Sequence, residues 1–376
     1  MTIKVAYSNS LFNRVNEVNM QPRYAELDDA RPLVYLDQNV IDAVRKKKLL
    51  GIIPNFRKDF RAVYSDETLK EIKRAVDRGG DAKSFLNVLC DLDAYHIRRV
   101  TDSNYVPQNE IMIRPHSPFQ IYDEFIDNLN FEYLMEANTL INQKMMGGLP
   151  DMSLADIEMH IVNSFERLHG DILKPLESLE EDDVPQALID NLRETLESNR
   201  EEQLTKFRSL IRQSVTALQK QIDSSELSIL HQFRESLSLN PLRLNNITPP
   251  NVIEQIWQEV LKNEVMSNTE VTIEQFFGAT EKSPCFPEHD NAPCDHVVGV
   301  YQILNMVGYH PDKKPHDSNS FVSTSSDMMH ASMGYFCSAI MSCDERFVKK
   351  TSAAYEFLNI PTHVLHVVEG TEKATE

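Results

Sequence analysis

The sequence predicts an α/β protein whose central, mostly parallel sheet is split by a large all-α insertion. Two short apolar runs at opposite ends of the chain, Pro32-Leu33-Val34-Tyr35-Leu36-Asp37 and Phe336-Cys337-Ser338-Ala339-Ile340-Met341-Ser342-Cys343-Asp344, each end in aspartate and read as strands of one buried sheet. Strand-like and helix-like segments alternate before Pro118 and again from Pro284, a pattern that predicts parallel strands joined by helices. Between about Pro118 and Phe276 the pattern is helical almost throughout. The expected organisation is an extension over 1–29, a first core segment over 30–117, a helical insertion over 118–283 and a second core segment over 284–376.

Each element has its own signal. Leu33 to Leu36 is apolar and short and is followed by Gln38-Asn39, as a buried strand entering a turn would be; Val40 to Leu50 then reads as a helix with a basic end at Arg45-Lys46-Lys47-Lys48. Phe60 to Tyr64 is a second strand, and Ser65-Asp66 can cap a helix from Glu67 to Arg78 that Gly79-Gly80 stops. Asp81 to Leu92 is the next helix. In the middle, Leu188, Leu192, Leu196, Leu204, Phe207, Ile211, Val215, Leu218 and Ile222 recur at helical spacing, which fits a long antiparallel hairpin, with a dimeric coiled coil as the alternative. Further on, Asp295 to Gly308 is an apolar, buried helix, and Ser325-Ser326-Asp327 opens another. Gly334 to Ser342 contains a strand, Glu345 to Leu358 is a helix, and Thr362 to Val368 is the last strand.

Composition narrows the function classes. With 41% hydrophobic and 25% charged residues the chain has a globular profile, and no apolar run approaches the roughly 20 residues a membrane helix needs. Met1-Thr2-Ile3-Lys4 does not open a secretory signal, and five cysteines without regular spacing read as reduced thiols; a cytoplasmic protein that does not engage membranes is expected. The formal charge of −19 argues against indiscriminate binding of nucleic acid, so such a substrate would need metal ions, a partner or a local basic patch. Arg45 to Lys48 and Lys349-Lys350 are the candidate patches.

Four carboxylates stand out by position: Asp37 after the first strand, Glu71 on the helix after the second, Asp327 at a helix start and Asp344 after the later strand. Ionised acids gathered at one sheet edge repel unless protonated or bridged by cations, so convergence would imply a divalent ion, Mg²⁺ or Mn²⁺ for an all-oxygen set. Taken singly, Asp37 or Asp344 would serve as a turn or cap residue. Glu71 and Glu67 share a helix face opposite Leu69, Ile72 and Val76, a face that is ordinarily solvated.

Asp37-Gln38-Asn39 after a hydrophobic strand resembles the opening motif of the PIN-domain nucleases. Ser65-Asp66-Glu67-Thr68-Leu69-Lys70-Glu71, Asp327-Met328-Met329-His330-Ala331 and Ser342-Cys343-Asp344-Glu345-Arg346-Phe347 resemble the second, third and fourth motifs, in the family's order. The resemblance covers roughly residues 30–105 and 293–370 and departs from the pattern at Gln38, where Ser or Thr is usual, and in the length of the insertion. It implies a three-layer PIN-like fold and an endoribonuclease that hydrolyses RNA phosphodiesters. In that reading Asp37, Glu71, Asp327 and Asp344 hold one or two Mg²⁺ or Mn²⁺ ions, with Glu67 as the fallback for Glu71. Asn39, Ser65, His330, Ser342 and Lys350 would orient ligands, water or substrate. A toxin-like or host-defence setting is consistent with it, and the insertion would serve substrate selection, a regulatory protein partner or assembly into a homo-oligomer.

Two rivals follow from the same residues. One is a PIN-like scaffold whose acids no longer bind metal and whose helical arm binds a protein; the other is a small-molecule phosphatase, for which Asp37-Gln38-Asn39 lacks an acid two residues on. Zinc is a lesser candidate: Cys285, His289, Cys294 and His296 form C-x3-H-x4-C-x-H, a spacing that matches no common finger.

Overall fold

The computed structural model describes residues 31–49, 53–102, 107–127, 229–282, 290–311 and 318–368, the segments 3–6 and 23–24, and scattered positions between 140 and 209. The strands are β1 (Ile3–Ala6), β2 (Arg23–Tyr24), β3 (Leu33–Leu36), β4 (Arg61–Ser65), β5 (Tyr95–Thr101), β6 (Pro107–Arg114), β7 (Ala339–Ser342) and β8 (His363–Val367). They form one eight-stranded sheet in the order β1-β8-β7-β3-β4-β5-β6-β2. From β8 through β5 the neighbours are parallel, whereas β1 joins β8 and β6 joins β5 antiparallel.

The chain runs from β3 outward to β4 and β5, and later from β7 outward to β8 on the opposite side. The boundary between β3 and β7 is therefore the point where strand order reverses. Open α/β sheets bind ligands in the crevice outside the carboxyl ends of the strands at such a point. Asp37 follows β3 there, and its backbone N–H donates to the Met341 carbonyl of β7 at 3.0 Å, holding the two strand ends together.

Strand alternation sorts the apolar side chains onto two faces. Val34, Leu36, Ala62, Tyr64, Ala339 and Met341 share one core with helices α1 (Gln38–Arg45), α2 (Asp66–Asp77) and α3 (Ala82–Asp91), which contribute Ile41, Leu69, Ile72 and Leu89. Tyr35, Val63, Ile340 and Val364 face the other core, with Val297 and Tyr301 of α4 (Pro293–Val307), Ala331 of α5 (Ser318–Gly334), and Phe347 and Tyr355 of α6 (Glu345–Phe357). The mixed α/β class with a mostly parallel sheet is as expected. Full burial of side chains such as Leu69 and Ile72, both at 0% exposure, contributes about 1.5–3 kcal/mol each.

Several boundaries differ from the sequence reading. Residues 1–29 supply β1 and β2 to the sheet rather than only an extension. Strands β5 and β6 carry Arg98, Arg99, Gln108, Asn109 and Glu110, so the apolar-run criterion passes over them. Helix α1 stops at Arg45, and Lys47 takes φ 61°, a left-handed conformation that ends helices. Helix α5 starts at Ser318, so Asp327 lies in its interior instead of at its start.

The chain divides into two compact units, one of 1–125, 234–312 and 323–376, the other of 126–233 and 313–322. The second differs from the expected 118–283: it leaves 118–125 and 234–283 to the first unit and takes in 313–322. In the first unit Ile121 joins the core beside α1 to α3, and Val252, Ile256 and Phe277 are buried. In the second, the described positions are helical except Met152, Ser153 and Pro185. The apolar stripe is shifted there: Leu188 is 54% exposed and its neighbour Ile189 is buried, while Leu204 is buried as the spacing predicts. Leu192, Leu196, Phe207 and 211–222 lie outside the described residues.

Candidate metal centre

Three strands of the sheet pass directly into helices, and the junction residues are Asp37, Ser65 and Asp344. Two of them perform the ordinary capping duty. Ser65 Oγ accepts the Glu67 backbone N–H at 3.3 Å, and Asp344 Oδ1 accepts the N–H groups of Arg346 and Phe347 at 2.7 and 3.2 Å. Asp37 stands at the same position of α1 but makes no side-chain capping bond. Its carboxylate turns instead into the space above the strand ends, where it is 3% exposed.

Two neighbours fix that carboxylate. Asp37 Oδ2 accepts from Ser342 Oγ at 2.6 Å and from Asn39 Nδ2 at 2.5 Å. Asn39 Oδ1 in turn accepts the Cys343 backbone N–H at 2.7 Å, and Ser342 Oγ accepts the Asp344 N–H at 3.0 Å. The ends of β3 and β7 are thereby tied around one carboxylate whose Oδ1 faces His330 Nε2 at 4.0 Å. Asn39 and Ser342, expected from the sequence to orient ligands, water or substrate, both hydrogen-bond the Asp37 carboxylate.

Glu71 reaches the same place from α2 and His330 from α5. Glu71 Oε2 lies 3.2 Å from His330 Nε2, while its Oε1 lies 3.4 Å from Arg74 Nη2. A ligand atom from each of Asp37, Glu71 and His330 falls within 4.8 Å of the other two. Burial pushes the Asp37 pKa up and the Glu71 charge adds to it, against the opposing effects of His330 and the Ser342 hydrogen bond. Burial alone would disfavour a charged His330, but Tyr35 and the carboxylates of Glu71 and Asp37 carry its pKa well above the ordinary imidazole value. Burial raises the Tyr35 pKa above its ordinary value, so Tyr35 meets His330 as a neutral hydroxyl.

The donor set suits a divalent cation. Two carboxyl groups, one of them buried, and a fully buried imidazole offer oxygen and nitrogen atoms of the kinds that divalent ions take as ligands. Asp37, Glu71 and His330 are the residues that would hold an ion.

Of the four acids singled out in the sequence, Asp37 and Glu71 belong to this group and Asp327 and Asp344 do not. Asp327 lies one turn before His330 on α5 and is partly buried; Asp344 is exposed and caps α6. Glu67, the fallback acid, is buried as a clamp: it accepts from Ser326 Oγ of α5 at 2.6 Å and from Lys70 Nζ at 3.0 Å. Burial would raise its pKa, but Lys70, His330, Ser326 and Arg74 together hold it below the usual glutamate value. The face bearing Glu67 and Glu71 is therefore turned toward α5 rather than toward solvent.

Lys350 is fully buried, donating to Asn305 Oδ1 at 2.7 Å with its ammonium 4.6 Å from the Tyr301 ring centroid, a placement unsuited to a phosphate contact. Lys349 pairs with Glu345 at 2.9 Å, and Arg45 and Lys46 both pair with Asp42. For zinc, Cys294 is buried in the core beside Val297, with burial raising its thiol pKa to about 12, while His296 Nε2 is 3.0 Å from the Thr280 carbonyl. Two residues apart on α4, they point to different sides and do not converge. Cys285 and His289 lie outside the described residues.

Sequence reasoning misses Tyr35. Its hydroxyl sits 2.7 Å from His330 Nδ1 and 2.7 Å from Ser65 Oγ, joining two predicted residues through a strand position that reads as ordinary core. The available signal was strand alternation, which puts Tyr35 on the face opposite Val34 and Leu36. Among the described residues, no helix is long and apolar enough to cross a membrane. No protein-family model, no curated protein and no solved structure matches the chain.

Proposed function

We propose that this protein is a metal-dependent phosphodiesterase of PIN-like type that cleaves RNA. The observation that carries the reading is the convergence of Asp37, Glu71 and His330 at the carboxyl ends of β3 and β7, where strand order reverses. A bound Mg²⁺ or Mn²⁺ would supply an activated water and neutralise charge on the scissile phosphate. The chain's own residues do the rest of the preparation. Asn39 and Ser342 hold one oxygen of Asp37 and leave the other facing the group. Arg74 holds Glu71 Oε1, leaving Oε2 beside His330. Asp37, barely exposed, is screened from bulk water, which strengthens its interactions. RNA as substrate rests on the four-motif resemblance alone.

A second reading has a specific observation behind it. His330, with its pKa well above the ordinary value, can itself be the cation between Asp37 and Glu71, as expected of a scaffold that has given up metal. Incubation of purified protein with labelled RNA, single-stranded DNA and a small phosphate ester, with Mn²⁺ or with EDTA, separates the readings. The nuclease gives Mn²⁺-dependent RNA cleavage that Asp37→Asn abolishes. The scaffold gives none, a phosphatase acts on the ester only, and cleavage that persists in EDTA contradicts the metal-dependent mechanism.

A further inference from the structure

We infer that His330 Nε2 is a direct ligand in this centre and that Tyr35 positions it, which makes the site a mixed nitrogen and oxygen site for a first-row transition ion in preference to Mg²⁺. The inference rests on the metal-dependent reading above and goes beyond it in naming the ion class and a positioning residue.

The geometry distinguishes the two ring nitrogens. Nδ1 faces inward, 2.7 Å from Tyr35 Oη, and Nε2 faces the carboxylates, 3.2 Å from Glu71 Oε2. Both His330 and Tyr35 are fully buried, so no bulk water competes for Nδ1. Behind Tyr35 stands Ser65 Oγ at 2.7 Å, which also accepts the Glu67 backbone N–H at the start of α2. A serine oxygen has a second lone pair free to accept the tyrosine proton. With the chain polarised that way, Tyr35 donates to Ser65 and accepts from His330 Nδ1–H, and an ion entering beside Asp37 and Glu71 displaces the proton on Nε2, releasing it to solvent, and takes up the Nε2 lone pair. Histidine ligands are characteristically held like this, the far N–H fixed by a second group that sets both tautomer and ring angle.

Ion preference follows from the donor atoms. Mg²⁺ takes oxygen and retains its waters, whereas imidazole suits later first-row ions, with Mn²⁺ tolerant of both donor types. A set of two carboxylates and one imidazole therefore favours Mn²⁺ over Mg²⁺ and the later ions more strongly still. Tyr35 touches neither substrate nor ion and acts only through His330.

Mn²⁺ and Mg²⁺ titrations by calorimetry, with pulsed electron paramagnetic resonance of the Mn²⁺-loaded protein, test this. Wild type should bind Mn²⁺ at least about tenfold more tightly than Mg²⁺ and show a ¹⁴N coupling on Mn²⁺. His330→Gln should remove that coupling, and Tyr35→Phe should weaken Mn²⁺ binding by about 10–100-fold while circular dichroism and Mg²⁺ affinity stay nearly unchanged. Mn²⁺ bound without nitrogen coupling in wild type, or Mn²⁺ and Mg²⁺ bound equally, would overturn the inference and leave the metal-dependent reading standing. Binding of neither ion would overturn both. Because the decisive coupling is measured on wild type, a variant that fails to fold does not remove the test.

Discussion

At the residue scale, Asp37 and Asp344 show how one residue type in one local setting serves two ends. Both follow a buried strand and precede a helix, yet Asp344 caps its helix through the N–H groups of Arg346 and Phe347 while Asp37 makes no side-chain capping bond and is held by Asn39 and Ser342. We expect Asp344→Ala to lower stability in urea denaturation by about 1 kcal/mol, the usual worth of an N-cap, with Mn²⁺ affinity within about twofold of wild type. A complete loss of Mn²⁺ binding in that variant would return Asp344 to the ligand set. The sequence makes both aspartates legible as strand-end acids but not their division of labour, because a cap and a ligand both require a short carboxylate at the junction. His330 was legible as a nearby candidate through its spacing from Asp327. Tyr35 was not, since a buried tyrosine in an apolar strand looks like any core residue until its hydroxyl finds His330.

At the element scale, α2 carries two acids one turn apart with different duties. Glu67 fastens α2 to α5 through Ser326, and Glu71 reaches over the strand ends to His330. Replacing Glu67 with Gln should cost about 1–3 kcal/mol, because a buried hydrogen-bonded anion loses partners, and should leave Mn²⁺ binding largely intact. Glu71→Gln should do the reverse: little change in thermal stability and a large loss of Mn²⁺ affinity by calorimetry. Equal, mild effects in both would mean that neither acid is a ligand. Strands β3, β4 and β7 were legible because parallel strands are covered on both faces and so are mostly apolar. Strands β5 and β6 were not: Arg99 lies within β5 and its charge is met by Asp295 of α4, a partner distant in sequence that no local pattern shows.

At the scale of the whole molecule, all three members of the group belong to the first unit, although Glu71 and His330 are separated by most of the chain. A bound ion should therefore stabilise the α/β unit by mass action, about 2.7 kcal/mol at a hundredfold excess over Kd. Hydrogen exchange should slow on adding Mn²⁺ in α2, in α5 and at the ends of β3 and β7, with EDTA reversing the effect and 186–209 unchanged. Uniform slowing, or none, would count against an ion at these residues. The α/β class was readable from strand and helix alternation, whereas the unit boundaries were not, since helical spacing marks a helix without saying which core it joins, and Val252, Ile256 and Phe277, beyond Pro118, are buried in the first unit.

Whether Asp37, Glu71 and His330 form a metal site is decided by Mn²⁺ calorimetry on wild type and Asp37→Asn. Saturable binding is expected in wild type, and a loss of at least about a hundredfold in affinity in Asp37→Asn, with the variant still folded by circular dichroism. Wild-type protein that binds no Mn²⁺, or an Asp37→Asn variant that binds it as tightly, would mean that these residues do not form a metal site.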